Sequence, residues 1–341
     1  MGGHLQLTAP RSRPKRLLSL EPEALIGAVG GERTATLVER LRRFDAGRQR
    51  SLITRAGIAS ACRHRGDFEW PEYTSVDPEP PWVLYALGDP GLLAAVRPAV
   101  AVVGARKADS YGRETARLIG REVTGAGAVV VSGLALGIDA SAHIGALDTD
   151  AGRTVAVVGG GVDRPYPRSN STLHRRISER GCIVSEMPPG TGVWRWSFPA
   201  RNRLIAAMSR LVVVVQADLG SGSLHTAEAA LARGVPVAGV PGRIDSPLSS
   251  GVNHLIADGA VVIGAPGVVP GLVGLAAAER PSVPEELKEA LDLVIEGRSG
   301  DLIERGDDDA ARLALDLARL ELQGLVERVA GGRWVLTGGA G

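Results

Sequence analysis

Val129-Val130-Val131-Ser132-Gly133-Leu134-Ala135-Leu136-Gly137-Ile138-Asp139 is an apolar run of strand character that ends in small residues, turns through glycine and re-enters a helical pattern. The same design recurs along the middle of the chain. Runs at residues 100–103, 155–158, 183–184 and 212–215 lead into Gly104-Ala105-Arg106-Lys107, Gly159-Gly160-Gly161-Val162-Asp163, Ser185-Glu186 and Gln216-Ala217-Asp218. Helical patterns lie between them, near residues 112–124, 140–147, 171–179, 203–207 and 224–233. Short, wholly apolar strands alternating with helices predict an α/β fold built on a doubly wound parallel sheet. Such a sheet gathers all its strand C-termini on one edge, so loops scattered in sequence become neighbours there. Glycines let backbone N–H groups approach a ligand, and helix N-termini add positive potential, so the expected site is an anion site with phosphate as its natural occupant.

The 341 residues suggest two or three domains. Aromatic residues make up only 4%, so Ala, Val, Leu and Gly must build the core. No apolar run approaches the length of a membrane span, and none follows the basic residues Arg11, Arg13, Lys15 and Arg16, so neither an anchor nor a secretory leader is expected. Cys62 and Cys182 show no CxxC spacing and read as two reduced thiols of a cytoplasmic protein. The charge is uneven: residues 100–260 hold 17 Lys and Arg against 13 Asp and Glu, while residues 281–341 hold 7 against 13. The middle can attract a polyanion that the C-terminal part should repel.

Outside the central alternation, residues 20–65 read as helical, with Arg40, Arg42 and Arg43 on a wet face. Pro71 to Pro81 reads as a linker, and Trp82 to Tyr85 as a short strand entering the next domain. Residues 264–284, rich in Gly, Pro and Ala, read as a second linker. Two amphipathic helices and a hairpin signal around Ala330-Gly331-Gly332 then suggest a small winged-helix-like domain. The expected organisation is a helical N-terminal domain at 1–75 (SAM-like or helix-hairpin-helix-like), a Rossmann-like domain at 76–265, a linker at 266–284 and the winged-helix-like domain at 285–341.

Residues 82–262 carry an ordered series of short motifs. They are Val103-Gly104-Ala105-Arg106 with Tyr111-Gly112, Ser132-Gly133-Leu134-Ala135 through Asp139 and His143, and Gly159 to Asp163 with Tyr166-Pro167. Ser185-Glu186, Phe198-Pro199-Ala200-Arg201-Asn202-Arg203, Ser221-Gly222-Ser223 with Thr226, Pro241-Gly242, and Gly251 with Asn253 continue the series. Each piece is weak alone; together, in this order, they are specific, and the region resembles the DNA-processing protein A (DprA/Smf) family. The resemblance implies an extended Rossmann-like fold and a non-enzymatic protein that needs no cofactor. It implies binding of single-stranded DNA, protection of incoming DNA and loading of the RecA recombinase in natural transformation or homologous recombination. It also implies a homodimer formed through the Rossmann-like domain.

Several residues then become candidate DNA contacts. Arg106 is the expected phosphate clamp, with Gly104 and Lys107 beside it. Ser132, Gly133 and Gly137 form an expected second cradle. Arg168 offers a cation, and Asn170 either caps the helix from Ser171 or bonds phosphate. In Trp194-Arg195-Trp196-Ser197-Phe198 either Phe198 or Trp196 is expected to face a base. Arg201, Asn202 and Arg203 open a helix where phosphate contacts are easy, and Ser221, Gly222 and Ser223 complete the track or simply cap the next helix.

A carboxylate beside phosphates repels them, so Asp139, with His143 and Asp163, is assigned to loop support; a catalytic Ser132–Asp139–His143 set is the minor alternative. Gly159-Gly160-Gly161 fails the dinucleotide fingerprint because position 164 is Arg164. The chain also departs from the family pattern: Ala105 stands where Ser is usual, Gln216 where Glu is usual, and His225 where an apolar residue is usual. The acidic run Asp307-Asp308-Asp309 argues against duplex reading by the C-terminal domain. The competing function is a nucleotide-processing enzyme of the lysine-decarboxylase-like phosphoribohydrolase type. Its paired-glycine loop is not matched by Ser221 to Glu228.

Overall fold

The structure is a computed structural model that describes residues 20–62, 77, 80–93, 98–150, 152–276, 285–295, 307–322, 325–328 and 334–336. The chain forms two compact units, Met1–Ala277 and Ala278–Gly341.

The first unit opens with helices α1 (Pro22–Val29), α2 (Thr34–Arg42) and α3 (Ala46–Arg55). Strands and helices then follow as β1 (Ile58–Cys62), β2 (Val83–Gly88), β3 (Ala99–Val103), α4 (Ser110–Gly125), β4 (Val129–Ser132), α5 (Ile138–Leu147) and β5 (Thr154–Val157). The unit continues with α6 (Ser171–Arg180), β6 (Cys182–Ser185), α7 (Ser197–Ala207), β7 (Leu211–Val214), α8 (Leu224–Leu231), β8 (Val237–Gly239), α9 (Pro247–Ala257), β9 (Val261–Val262) and α10 (Val269–Leu272). The nine strands form one sheet in the order β1-β2-β6-β5-β4-β3-β7-β8-β9. Pairing is parallel from β6 through to β9, and β2 joins β6 antiparallel, with β1 antiparallel to β2.

Every residue of β3, β4, β5, β6 and β7 is buried. Successive side chains point to opposite faces: Ala101, Val103, Val129, Val131, Val212 and Val214 join one core cluster, and Val100, Val102, Val130, Val213 and Val215 the other. Helices on both faces account for the unbroken valine runs, since a strand covered on both sides needs no polar face.

Three local readings change. The segment read as helical to residue 65 is helical only to Arg55; Ile58–Cys62 is an edge strand. α9 was not read from sequence at all. The linker reading of 264–284 fails at its start, where Val269 and Val273, spaced one helical turn apart, pack into the core beneath the sheet. Most of Pro71 to Pro81 lies outside the described residues; Asp77 is buried and paired with Arg233 at 3.0 Å.

The second unit contains α11 (Lys288–Ile295), α12 (Asp307–Leu322) and the antiparallel pair β10 (Val326–Arg328) and β11 (Trp334–Leu336). Leu287, Ala290, Leu293, Leu313, Leu317, Leu320 and Val326 form its core. The glycine turn expected at residues 330–332 lies outside the described residues.

Candidate functional site

The strand order reverses direction between β3 and β7: β4, β5 and β6 follow β3 on one side, and β8 and β9 follow β7 on the other. A crevice opens at such a switch point because the connections on either side of it leave in opposite directions. Here it is a cleft of about 550 Å³. Gly104, Ala105, Arg106 and Lys107 after β3 form one wall, and Asp218, Gly220, Ser221, Gly222 and Ser223 after β7 form the other. Phe198, Arg201 and Asn202 from α7 close the end, with Asp139 in the floor.

Arg106 and Lys107 are exposed and make no ion pair among the described residues. The Arg106 guanidinium lies 4.7 Å above the centre of the Phe198 ring, and Tyr166 approaches the same ring at 5.8 Å. A cation and a half-buried aromatic face are thus presented together at the mouth of the cleft. The loop carrying Arg106 is held down by backbone: Ala105 N–H donates to Gln216 O at 2.7 Å, and Ile138 N–H to Ala105 O at 3.3 Å. Gly137 has φ +75°, and a Cβ there would lie 2.3 Å from Ala105 O, so only glycine lets α5 begin against this loop.

The floor is a buried network rather than a row of ligand contacts. Asp139 Oδ2 accepts the N–H groups of Gly133 at 3.2 Å and Ala135 at 3.4 Å and lies 3.8 Å from the Arg201 guanidinium. Burial raises the Asp139 carboxyl above the ordinary carboxylate range, against the pull of Arg201, the two N–H groups and Arg106. Arg201 is buried; its Nη1 donates to Gly133 O and Val157 O, and its Nε to Asn202 Oδ1 at 3.0 Å. Asn202 Nδ2 donates in turn to Gly222 O at 3.1 Å. A Cβ on Gly133 would fall inside the Arg201 guanidinium. Arg201, Asn202 and Gly133 therefore tie β4, β5, α7 and the loop after β7 into one rigid base.

Other expected contacts move as well. The Ser132 hydroxyl is buried and donates to Val102 O at 2.6 Å, so it bridges two strands instead of offering itself to an anion. Arg203 donates to both Glu186 oxygens, at 2.5 and 2.6 Å, and its charge is neutralised there. Asn170 neither caps a helix nor faces the cleft; its amide donates to Leu134 O at 3.0 Å and Ala135 O at 3.3 Å. Arg168 is exposed after β5, outside the cleft lining. Ser221 and Ser223 bond each other at 2.7 Å in the cleft wall, without capping α8. Asp163 braces the neighbouring loop by accepting Gly190 N–H at 2.7 Å.

His143 is wholly buried, and its Nδ1 lies 2.8 Å from Thr154 Oγ1. The Thr154 hydroxyl proton is already given to Val130 O at 2.7 Å, so His143 must donate from Nδ1 and leave Nε2 bare. Burial, and then Arg201, lower its pKa to about 3. With Ser132 and His143 bound to separate partners, the catalytic set of Ser132, Asp139 and His143 is not assembled. Among the described residues no group of three or more His, Cys, Asp or Glu is placed to hold a metal ion. Cys62 and Cys182 form no disulfide, and burial pushes the Cys182 thiol up to about 12. Among the described residues no helix is long and apolar enough to cross a membrane. Sequence reasoning gave no site role to Asp218 and Leu248, which line the cleft, or to Tyr166, whose ring lies against Phe198.

Residues 62–268 match the family model of DNA recombination-mediator protein A. A Mycobacterium tuberculosis protein named for DNA processing, DprA, is 42% identical over 276 residues, covering 76% of this chain and 70% of its own. The crystal structure of DNA processing protein A from Streptococcus pneumoniae superposes with a TM-score of 0.61 at 33% identity, over 72% of this chain and 84% of that one. A structure of the Helicobacter pylori DNA processing protein A, described for its single-stranded DNA binding mode, has a TM-score of 0.55 at 32% identity, over 61% of this chain and 92% of that one. The matched residues contain the whole switch-point cleft and the network beneath it, and on that ground the chain belongs to the DNA recombination-mediator protein A family.

Proposed function

We propose that this chain binds single-stranded DNA in the switch-point cleft and acts without catalytic chemistry. On this reading it protects incoming DNA in the cytoplasm and hands it to the RecA recombinase in natural transformation or homologous recombination. The carrying observation is the exposed Arg106 guanidinium stacked on Phe198, in no ion pair among the described residues. That pairing suits a phosphate and the base attached to it, and it is indifferent to sequence. Of the expected contacts, Gly104, Arg106, Lys107, Phe198, Ser221 and Gly222 are retained as direct ones. Arg201, Asn202, Gly133 and Asp139 support them from below.

Fluorescence anisotropy with labelled oligo-dT and its duplex counterpart across a salt series tests the reading. Binding should prefer the single strand and weaken steeply with salt, and Arg106→Ala should weaken it several-fold. Normal binding by that variant removes Arg106 as the clamp, and release of free base from mononucleotides would make the protein an enzyme instead. RecA transfer is tested separately, by filament assembly on oligo-dT with and without this protein.

The same reading includes a homodimer through the first unit. Its support is the terminal strand of the sheet, where Val261 and Val262 are 41% and 52% exposed, with Val268 and Leu272 exposed close by. The second unit we read as winged-helix-like, two helices and a strand pair whose acidic composition suits a protein contact better than duplex DNA.

A further inference from the structure

We infer that Trp194 and Trp196 form a base-stacking ledge outside the cleft, which carries the bound strand away on the β5–β6 side. The inference rests on the single-stranded DNA reading of the cleft and gives it a second contact surface and a direction.

The two indoles are about half exposed, 50% and 54%, in a chain with few aromatic rings. They lie parallel within 7°, with centroids 5.9 Å apart. About half of each side chain is left to solvent and open to a further ring. The turn that presents them is held firmly. Ser197 Oγ donates to Trp194 O at 2.7 Å and accepts the Trp194 N–H at 3.2 Å. Gly161 N–H donates to Thr191 O at 2.9 Å, and Gly190 N–H to Asp163 at 2.7 Å.

The three glycines after β5 belong to this same device. A Cβ on Gly159 would lie 2.9 Å from Ser197 Oγ. One on Gly160 would lie 2.8 Å from Val193 Cγ2 and 3.1 Å from Thr191 O, and one on Gly161 2.9 Å from Gly190 N. Gly159-Gly160-Gly161 is therefore the berth of the aromatic loop rather than a phosphate loop. A ring held in place before binding loses little freedom on contact, and a base of any kind can stack on it.

Charge gives the direction. Arg164, Arg168 and Arg195, on the loops after β5 and β6, are exposed and make no ion pair among the described residues. On the β7–β8 side Arg243 is held by Asp245 at 2.9 and 2.7 Å, His225 faces Glu228 at 3.1 Å, and Asp218 is exposed between. A phosphate backbone leaving the cleft meets Arg164, Arg168 and Arg195 beside the exposed Asp163 toward the indoles, and ion-paired side chains with the exposed Asp218 in the other direction. Trp196 stands two residues before Phe198, so their Cα atoms lie within about 7 Å, a span that one or two nucleotides of a bound strand can cross.

The test uses the full chain with two labelled oligo-dT probes, one of about 6 nucleotides that fills the cleft and one of about 20 that reaches beyond it. The W194A/W196A double variant should bind the long probe about 10-fold or more weakly and the short probe nearly as well as wild type. The W194F/W196F variant should restore most of the affinity. The long probe should quench the intrinsic indole fluorescence of wild type, and much less that of the Phe pair. Long-probe affinity within two-fold of wild type in the Ala pair, while Arg106→Ala still weakens binding, overturns the ledge and leaves the cleft reading standing. An equal loss on both probes without quenching also overturns it, since the indoles would then act only by holding Phe198. Failure of wild type to bind either probe removes the cleft reading itself, and the ledge with it.

Discussion

Arg201 is the residue on which the base of the cleft depends. A buried arginine keeps its proton, so its charge must be met by partners, and here they are Asp139 and the carbonyls of Gly133 and Val157. Arg201→Met keeps the volume but strands the Asp139 carboxylate, and unfolding stability should drop by about 3–5 kcal/mol in urea titration. A loss within 1 kcal/mol would show that the network contributes little. His143 gives the fold a pH dependence. Its folded pKa of about 3 lies below the 6.5 of an ordinary imidazole, which the unfolded chain keeps. The unfolded chain therefore takes up the extra proton between those values, and stability falls as pH drops below about 6.5. Linkage gives a loss of about 2 kcal/mol at pH 5 relative to neutral pH. Asp139 works in the opposite sense, because its raised pKa lets the folded state accept a proton more readily as pH falls. The difference between wild type and His143→Asn separates the two: urea midpoints from pH 7.5 to 5 should converge toward the acid end, and parallel curves would show that His143 does not titrate this way.

At the scale of elements, Gln216 joins the end of β7 to the start of α4. Its Nε2 donates to Asp109 Oδ1 at 2.9 Å, its Oε1 accepts Asp109 N–H at 3.3 Å, and Asp109 caps α4 by accepting Gly112 N–H at 2.8 Å. The family pattern has Glu here, which in this chain would set two carboxylates against each other. Gln216→Glu should lower stability at pH 7 by about 1–3 kcal/mol and regain most of it at pH 5, where the pair shares a proton. Equal urea midpoints for both proteins at pH 7 would mean that Asp109 has another partner. Elements of this kind were legible in sequence to the extent that burial leaves a pattern. The valine runs of β3, β4 and β7 were plain because both faces of the sheet are covered. α9 was hidden because Pro247 at its first turn and Gly251 within it look like loop, whereas Gly251 packs on Asp218 O and donates to Ala217 O at 2.8 Å. At the site, the place of Gly104 and Arg106 on the loop after β3 could be read because an apolar strand pattern runs directly into them. Arg201 and Arg203 could not, because nothing local to an arginine tells whether a carboxylate or carbonyl distant in sequence, such as Glu186 or Val157, folds against it.

The chain has a basic central region and an acidic C-terminal one, and its nine-stranded sheet ends in a short strand with exposed valines. Both features bear on assembly. An unpaired sheet edge offers a row of backbone donors and acceptors to a second copy, and an apolar surface beside it adds the driving force. Among the described residues β9 is such an edge: β8 pairs it on one side, and Val261 and Val262 are exposed, as are Val268 and Leu272 after it. Lysine on an edge strand is the usual guard against this pairing, so Val262→Lys should convert a dimer into a monomer in light scattering at micromolar concentration. Val262 is not among the residues lining the cleft, so the variant's affinity for a short oligo-dT should match that of wild type. A long oligo-dT that engages two clefts at once should bind less tightly to the variant, because the second contact is then no longer intramolecular. A variant that remains dimeric moves the interface elsewhere, and one that is monomeric yet keeps full affinity for the long strand shows that each copy holds DNA alone.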